Sequence, residues 1–230
     1  MRDNTRTLPD LLQRPLGVPQ GGPFSPLAAN IYLNDLDWAF DTIHRKTAEG
    51  HYEAVNYHRF ADDIVITVSG HSSKQGWAER ALHRLREHLD PLGVTMNSEK
   101  TKVVNTLDGE AFGFLGFELR RVSKRESSGH FILLTPKKKA RVAIKAKIRE
   151  IIRKGGATPM KTLVSRINAA LAGWVNYFRV GNSSRAFSEV RDYVEMKVRT
   201  LLTRRKRRRK RSVGWRRWSN VYLYDVLGLY

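Results

Sequence analysis

Two adjacent aspartates inside an apolar, β-branched run constrain this chain more than any other feature. The stretch YHRFADDIVI, residues 57–66, reads as strand, turn and strand. Val55–Phe60 and Ile64–Val68 are separated by Ala61-Asp62-Asp63, and Ser69-Gly70 closes the second strand. Neighbouring carboxylates repel, so a fold that sets them near its core needs something to neutralise them. A magnesium ion is one solution, because Mg²⁺ takes oxygen ligands and is commonly held by one or two carboxylates, with phosphate oxygens and waters completing the shell. An ordinary turn is the other reading, since aspartate is common in turns. The dipeptide alone favours the turn.

The flanking sequence predicts an α+β half. Pro15, Pro19 and Pro23 forbid regular structure, so 14–23 is a loop. Ser25 then reads as an N-cap with Pro26 at the first helical position, and the helix would carry Leu27, Ile31, Leu36 and Phe40. Trp77, Ala81, Leu85 and Leu89 recur at i+4, giving a helix over 74–92 with Gly93 as its stop. Short strands are expected at Val94–Met96, Lys102–Thr106, Phe112–Leu119 and Phe131–Leu134. Together these give an antiparallel sheet with packed helices. Beyond Thr135-Pro136 the pattern becomes helical: 137–153, 159–177 and 185 to about 211, broken at Gly155-Gly156 and near Gly181. The boundary falls within 122–136, dividing the chain into 1–135 and an all-α segment, 136–230.

Charge separates the same two halves. The net charge is +20, yet residues 1–115 hold 12 Lys/Arg against 15 Asp/Glu, and residues 116–230 hold 30 against 7. Positive charge concentrated in this way implies a polyanionic partner, nucleic acid before an anionic membrane surface. Its densest part is the run Arg204, Arg205, Lys206, Arg207, Arg208, Arg209, Lys210 and Arg211. On a helix these would point in every direction, some contacting phosphate and the rest solvated. Nuclear import is another use of such a run, and nothing else in the chain supports it. Trp174 and Phe178 read as core, whereas Trp215 and Trp218 fit base stacking or domain covering equally. With no cysteine, there is no disulfide, thiolate-held zinc or cysteine nucleophile, and the seven histidines form no metal-binding pair. No apolar run is long enough to span a membrane, and no signal-peptide core is present, so the expected location is the cytoplasm.

Five motifs in order carry a resemblance: RPLGVPQGGPFSPLAANIYLNDLD, FADD, LGVTMNSEKT, FLGF and INAALAGWVNYFRVGNSSRAFSEVRDYV. From Arg14 onward the chain resembles the reverse transcriptases encoded by group II introns, which double as splicing maturases. The resemblance implies a partial reverse-transcriptase palm followed by a helical thumb/maturase domain. Asp62 and Asp63 match the family's metal-binding pair, the first being the firmer ligand there. Lys100 matches a lysine associated with protonating the departing pyrophosphate. Gln20, Gly21 and Gly22 match a loop near the incoming nucleotide and template, where glycine allows close backbone approach. Phe114, Leu115 and Gly116 match the hairpin supporting the primer end, although Phe114 reads equally well as core. Phe60 stands where the family usually has tyrosine, keeping the ring and losing the hydroxyl.

The family's site also uses a third aspartate from an earlier palm strand. The 19 residues before Gln20 offer only Asp3 and Asp10, neither in an apolar strand. The fingers that grip the triphosphate are missing from the same region. The resemblance therefore implies RNA-templated DNA synthesis by two-metal nucleotidyl transfer and assistance of intron splicing. The two-ion Mg²⁺ site would be incomplete in this chain, leaving open whether it is itself an enzyme. The alternative is a non-catalytic, intron-RNA-binding maturase remnant with the palm as scaffold. Expected partners are intron RNA, an RNA template with its DNA primer, and a separate N-terminal half. The setting would be a bacterial-type cytoplasmic ribonucleoprotein.

Overall fold

A computed structural model describes residues 23–48, 55–69, 76–125, 127–206 and 217–230. The chain is α+β and divides by compactness into two units, Met1–Val103 and Val104–Tyr230.

In the first unit, helices α1 (Ser25–Tyr32) and α2 (Asn34–Ala48) precede a hairpin of strands β1 (Val55–Phe60) and β2 (Asp63–Val68). Helix α3 (Trp77–Leu89) follows, extended by a 3₁₀ turn, Asp90–Leu92. Gly93 ends it at φ +64°, in the left-handed region that glycine enters without steric cost. Leu33 between α1 and α2, one side of α2 and one side of α3 supply the core: Leu33, Leu36, Phe40, Leu85 and Leu89 are buried, with Tyr57, Ile64 and Ile66 of the hairpin against them. Phe40 stacks on Tyr57, ring centres 4.8 Å apart.

Three expectations change here. Phe24, not Ser25, is the N-cap of α1. The expected single helix is interrupted at Leu33, and Leu27 and Ile31 lie exposed while Leu36 and Phe40 are buried. Apolar i+4 spacing makes a stripe, but only the α2 part of it lies over the hairpin. Residues 94–96 and 102–106 form no strand, because a β-branched run becomes a strand only where another offers its backbone groups.

In the second unit, β3 (Ala111–Phe114), β4 (Phe117–Ser123) and β5 (His130–Pro136) form an antiparallel sheet in sequence order. The run 112–119, read as one strand, is two: Phe114 pairs with Phe117 across Leu115-Gly116. Three helices follow, α4 (Lys138–Lys154), α5 (Met160–Phe178) and α6 (Ser184–Arg205). Ile144 and Ile148, then Leu163, Ile167 and Leu171, then Val190, Val194, Val198 and Leu202 turn inward at helical spacing and build one core. The C-terminal segment closes it with Trp218, Leu223, Leu227 and Leu229. Trp218 is thus core, which answers one of the two open tryptophans; Trp215 lies outside the described residues.

The sheet is fastened to the helices. Leu134 and Asn182 exchange hydrogen bonds, Asn182 N–H to Leu134 O at 2.6 Å and Leu134 N–H to Asn182 Oδ1 at 3.1 Å. Phe117 packs on Tyr177 and Phe178. By compactness, then, the sheet travels with the helical bundle, and position 135/136 lies inside the second unit.

Candidate metal and nucleic-acid site

The turn between β1 and β2 is as tight as a hairpin allows. Phe60 pairs with Asp63, so only Ala61 and Asp62 form the loop. Ala61 sits at φ +54°. A non-glycine residue in this region costs about 1–2 kcal/mol and persists only where its surroundings hold it. Asp62, Asp63 and the Phe60 ring are exposed at the tip.

What holds the turn is Arg59, one residue inside the strand. Its Nε donates to Asp37 Oδ1 at 2.8 Å, and Nη2 donates to Asp37 Oδ2, a two-pronged pair from β1 to α2. Its Nη1 reaches Asn30 Oδ1 on α1 at 2.9 Å and the Ala61 carbonyl at 3.1 Å. The Tyr57 hydroxyl donates to Asp37 Oδ1 at 2.9 Å. One guanidinium therefore ties the strained turn to two helices. The Arg59 bond holds the Asp37 carboxyl below the usual carboxylate range, against opposition from burial. Burial, then the Asp37 bond, pushes the Tyr57 hydroxyl far upward.

The consequence for the aspartate pair is electrostatic. The cation nearest the turn is committed to Asp37, and Asp62 and Asp63 form no ion pair among the described residues. Two exposed carboxylates on neighbouring positions of a fixed turn suit a hard divalent cation as two of its oxygen donors. Among the described residues, no group of three or more His, Cys, Asp or Glu is gathered to hold a metal. The donor set fits Mg²⁺ in kind and stops at two.

The other expected residues fall in several places. Lys100 ends an exposed turn organised by Asn97, whose Oδ1 accepts the Glu99 and Lys100 N–H groups at 3.0 and 3.2 Å. No ion pair joins it to Asp62 or Asp63 among the described residues. Phe114, Leu115 and Gly116 form the β3–β4 turn of the second unit, with Leu115 at φ +47° and Gly116 at φ +79°. Positive φ at both loop positions matches the twist of the flanking strands, at the expense of a left-handed leucine. The Tyr177 hydroxyl of α5 donates to the Leu115 carbonyl at 3.0 Å, and Lys137 N–H donates to Gly116 O at 2.9 Å. Gln20, Gly21 and Gly22 lie outside the described residues, as do Arg207, Arg208, Arg209, Lys210 and Arg211. Arg204 and Lys206 are exposed. Arg205 is occupied structurally: its Nη2 donates to the carbonyls of Gly155 and Gly156 at 2.9 and 3.0 Å, finishing the C-terminus of α4.

Arg59, Asp37 and Asn30 did not emerge from the sequence as site residues, and neither did the bond from Tyr177 to the β3–β4 turn. A signal for the first existed: Tyr57 and Arg59, two apart on a strand, share the face of the buried Val55. An arginine on an inward face requires an acid, and Asp37 on the packed helix supplies it.

A two-residue hairpin with paired carboxylates at its tip, and a three-helix unit rich in Lys and Arg, are the features to set beside known proteins. The family model described as reverse transcriptase (RNA-dependent DNA polymerase) matches residues 9–119. That for the group II intron maturase-specific domain matches residues 142–220. Protein YkfC of Escherichia coli is 33% identical over 149 residues, covering 54% of this chain and 38% of that protein. Group II intron-encoded protein LtrA of Lactococcus lactis subsp. cremoris is 27% identical over 200 residues, covering 59% and 32%. The putative COX1/OXI3 intron 1 protein of Saccharomyces cerevisiae is 27% identical over 187 residues, covering 60% and 22%. Over 9–119 and then 142–220 the chain is similar to the group II intron-encoded reverse transcriptases/maturases, both models matching in order along one polypeptide. Its matches span 22% to 38% of the length of these relatives. Reverse transcriptases generally work with Mg²⁺. No helix among the described residues is long and apolar enough to cross a membrane.

Proposed function

We propose that this chain supplies the palm portion, 1–135, and the thumb/maturase portion, 136–230, of an RNA-directed DNA polymerase that also assists splicing of its intron. The observation carrying this reading is the allocation of charge at the β1–β2 turn. Arg59 is neutralised by Asp37, which leaves Asp62 and Asp63 fixed, exposed and available to a divalent cation. Asp62 and Asp63 would hold Mg²⁺, which when bound favours an attacking hydroxyl and stabilises the leaving oxygen at phosphorus. Lys100 suits donation of a proton to departing pyrophosphate. Gln20, Gly21, Gly22 and Phe60 would lie along nucleotide and template, and Phe114-Leu115-Gly116 would support the primer. Exposed cations of the C-terminal run, Arg204 and Lys206 among them, would contact intron RNA within a ribonucleoprotein.

Catalysis needs a further carboxylate, and none joins the pair among the described residues. We therefore infer that the polypeptide binds RNA without polymerising alone. The same observation favours a second reading, in which the chain is an RNA-binding maturase whose palm is only scaffold. Primer extension on an RNA template with Mg²⁺ tests both, with the chain alone and mixed with a family N-terminal segment carrying the first palm strand. No cDNA alone and cDNA on mixing is expected; synthesis by the chain alone refutes incompleteness. RNA binding with no synthesis in either arm leaves the scaffold reading standing and removes the first.

A further inference from the structure

The seam between α4 and α6 carries two facing ladders at i+4 spacing. Arg141, Lys145 and Arg149 lie along α4, and Glu189, Tyr193 and Lys197 lie along α6. Successive rungs are about 6 Å apart along each helix. The upper half is neutralised: Glu189 accepts from Lys145 Nζ at 2.6 Å and from Arg141 Nη1. These two bonds, that from Lys145 first, hold the Glu189 carboxyl below its ordinary range. Among the described residues, no acid forms an ion pair with Arg149 or Lys197 in the lower half. Lys145 Nζ and Lys197 Nζ each lie 5.4 Å from the centre of the Tyr193 ring. Arg149 Nε donates to the Tyr193 hydroxyl at 3.4 Å.

A tyrosine whose oxygen already accepts from arginine has its own hydrogen left to donate outward. Two lysines near an amphipathic ring are favourable by cation–π attraction, and with Lys145 neutralised by Glu189 it is Lys197 and Arg149 that leave a positive field at the surface. Anionic oxygens answer both features. We propose that the Arg149–Tyr193–Lys197 seam is a docking surface for the sugar-phosphate backbone of structured RNA, the two cations meeting phosphates and the Tyr193 hydroxyl donating to a phosphate or 2′-hydroxyl oxygen. The proposal rests on the RNA-binding reading above and places its centre on a rigid helix pair rather than on the run 204–211. Recognition through shape, phosphate and 2′-hydroxyl is how proteins generally hold structured RNA, and side chains already held by packing lose less freedom on binding than unconstrained ones.

The test is equilibrium binding of the full chain to a structured RNA hairpin across a salt series, with Arg149→Gln/Lys197→Gln set against Lys161→Gln/Arg166→Gln on α5. The seam variant is expected to lose about tenfold or more in affinity and to reduce the salt slope by about 1.4–1.8, while the charge-matched control loses about twofold or less. Tyr193→Phe keeps the packed ring and removes only a neutral donor, so it should cost roughly two- to tenfold with the slope unchanged. Unaltered melting curves separate these losses from misfolding. Equal losses in seam and control variants would overturn the proposal in favour of diffuse charge. Retained RNA binding by the seam variants with loss of binding to anionic phospholipid vesicles would overturn RNA as the occupant. Wild-type protein that fails to bind RNA at all would sink the functional reading itself.

Discussion

Removing Asp37 should loosen the β1–β2 hairpin far more than its position on a helix suggests. The Arg59 side chain is only 7% exposed, and Asp37 is 36% exposed. Breaking a fully buried ion pair costs about 3–5 kcal/mol, whereas an exposed pair contributes about 0–1 kcal/mol. In Asp37→Ala the guanidinium keeps Asn30 and the Ala61 carbonyl but loses its counter-charge, and water reaches only the Asp37 side. An intermediate cost of about 2–3 kcal/mol follows. Arg59→Met should cost less, about 1 kcal/mol, because Asp37 keeps the Tyr57 bond and can be hydrated. Amide hydrogen exchange of peptides spanning 55–68 reads this directly. At tenfold per 1.4 kcal/mol, Asp37→Ala should speed exchange about 30- to 150-fold, with the β3–β5 amides as internal reference.

The same network has an acid limb. The folded pKa of Asp37 lies below its unfolded value, with the Arg59 hydrogen bond as the chief cause. Its contribution is therefore fully present above the unfolded pKa and is lost as pH falls through the depressed one. Hairpin protection should persist through the ordinary carboxylate range and decline only beneath it. Exchange of 55–68 within about threefold of wild type in Asp37→Ala would refute the reasoning, since it would mean the pair contributes no more than an exposed one.

Further outcomes follow from the turns, the C-terminal clamp and the glycines. Ala61→Gly and Leu115→Gly should each stabilise by roughly 0.5–1 kcal/mol in chemical unfolding, the left-handed cost removed exceeding the added chain entropy. Glu195 and Arg199 form a buried pair that also binds Trp218 O and Asn220, and Tyr224 donates to Glu195 Oε1 at 2.5 Å. Glu195→Gln should therefore cost about 3 kcal/mol and Tyr224→Phe about 1 kcal/mol in the same assay. Burial, then the Glu195 bond, pushes the Tyr224 hydroxyl up to about 12. Its folded value is the raised one, so thermal stability should fall as pH rises from about 10 through that value. A Cβ on Gly181 would stand 2.5 Å from the Leu134 carbonyl, whereas one on Gly173, inside α5, meets nothing within 4 Å. Gly181→Ala should destabilise by about 1–3 kcal/mol, and Gly173→Ala should stabilise by roughly 1 kcal/mol. Asp37→Asn should free Arg59 towards Asp62 and Asp63 and weaken Mn²⁺-induced broadening of the amides of 60–64; unchanged or stronger broadening would refute that account.

Local pattern carried some of the architecture and not the rest. The β1–β2 hairpin and α4 to α6 were legible because each declares itself within one window: β-branched runs about a short turn, or inward residues at i+4 such as Ile144 and Ile148. Val94–Met96 has the composition of a strand and is none, since strand formation depends on a partner that composition does not mention. Leu27 and Ile31 have the same spacing as Leu36 and Phe40 yet stay exposed, because periodicity makes a stripe without saying what covers it. Leu115 hid a turn, leucine being a poor residue for positive φ. Arg205 is indistinguishable by type from Arg204, and only the C-terminus of α4 at Gly155 separates a capping cation from a solvated one.

For the site, the sequence located the acids and left open their neutralisation. An aspartate doublet on a hairpin has three fates: water, an internal cation, or a ligand. Arg59 is the residue that could have closed the question, since its Nη1 already touches the Ala61 carbonyl beside Asp62. Its remaining prongs are drawn the other way, to Asp37 and Asn30. A turn in which the available arginine neutralises a distant acid, and only braces the backbone of the near pair, leaves two adjacent exposed aspartates without an ion-pair partner among the described residues. That arrangement is unfavourable for an isolated hairpin, and a bound cation would relieve it. The strained Ala61 backbone adds to the same side of the account, because both costs are incurred at the tip while the stabilising contacts lie beneath it.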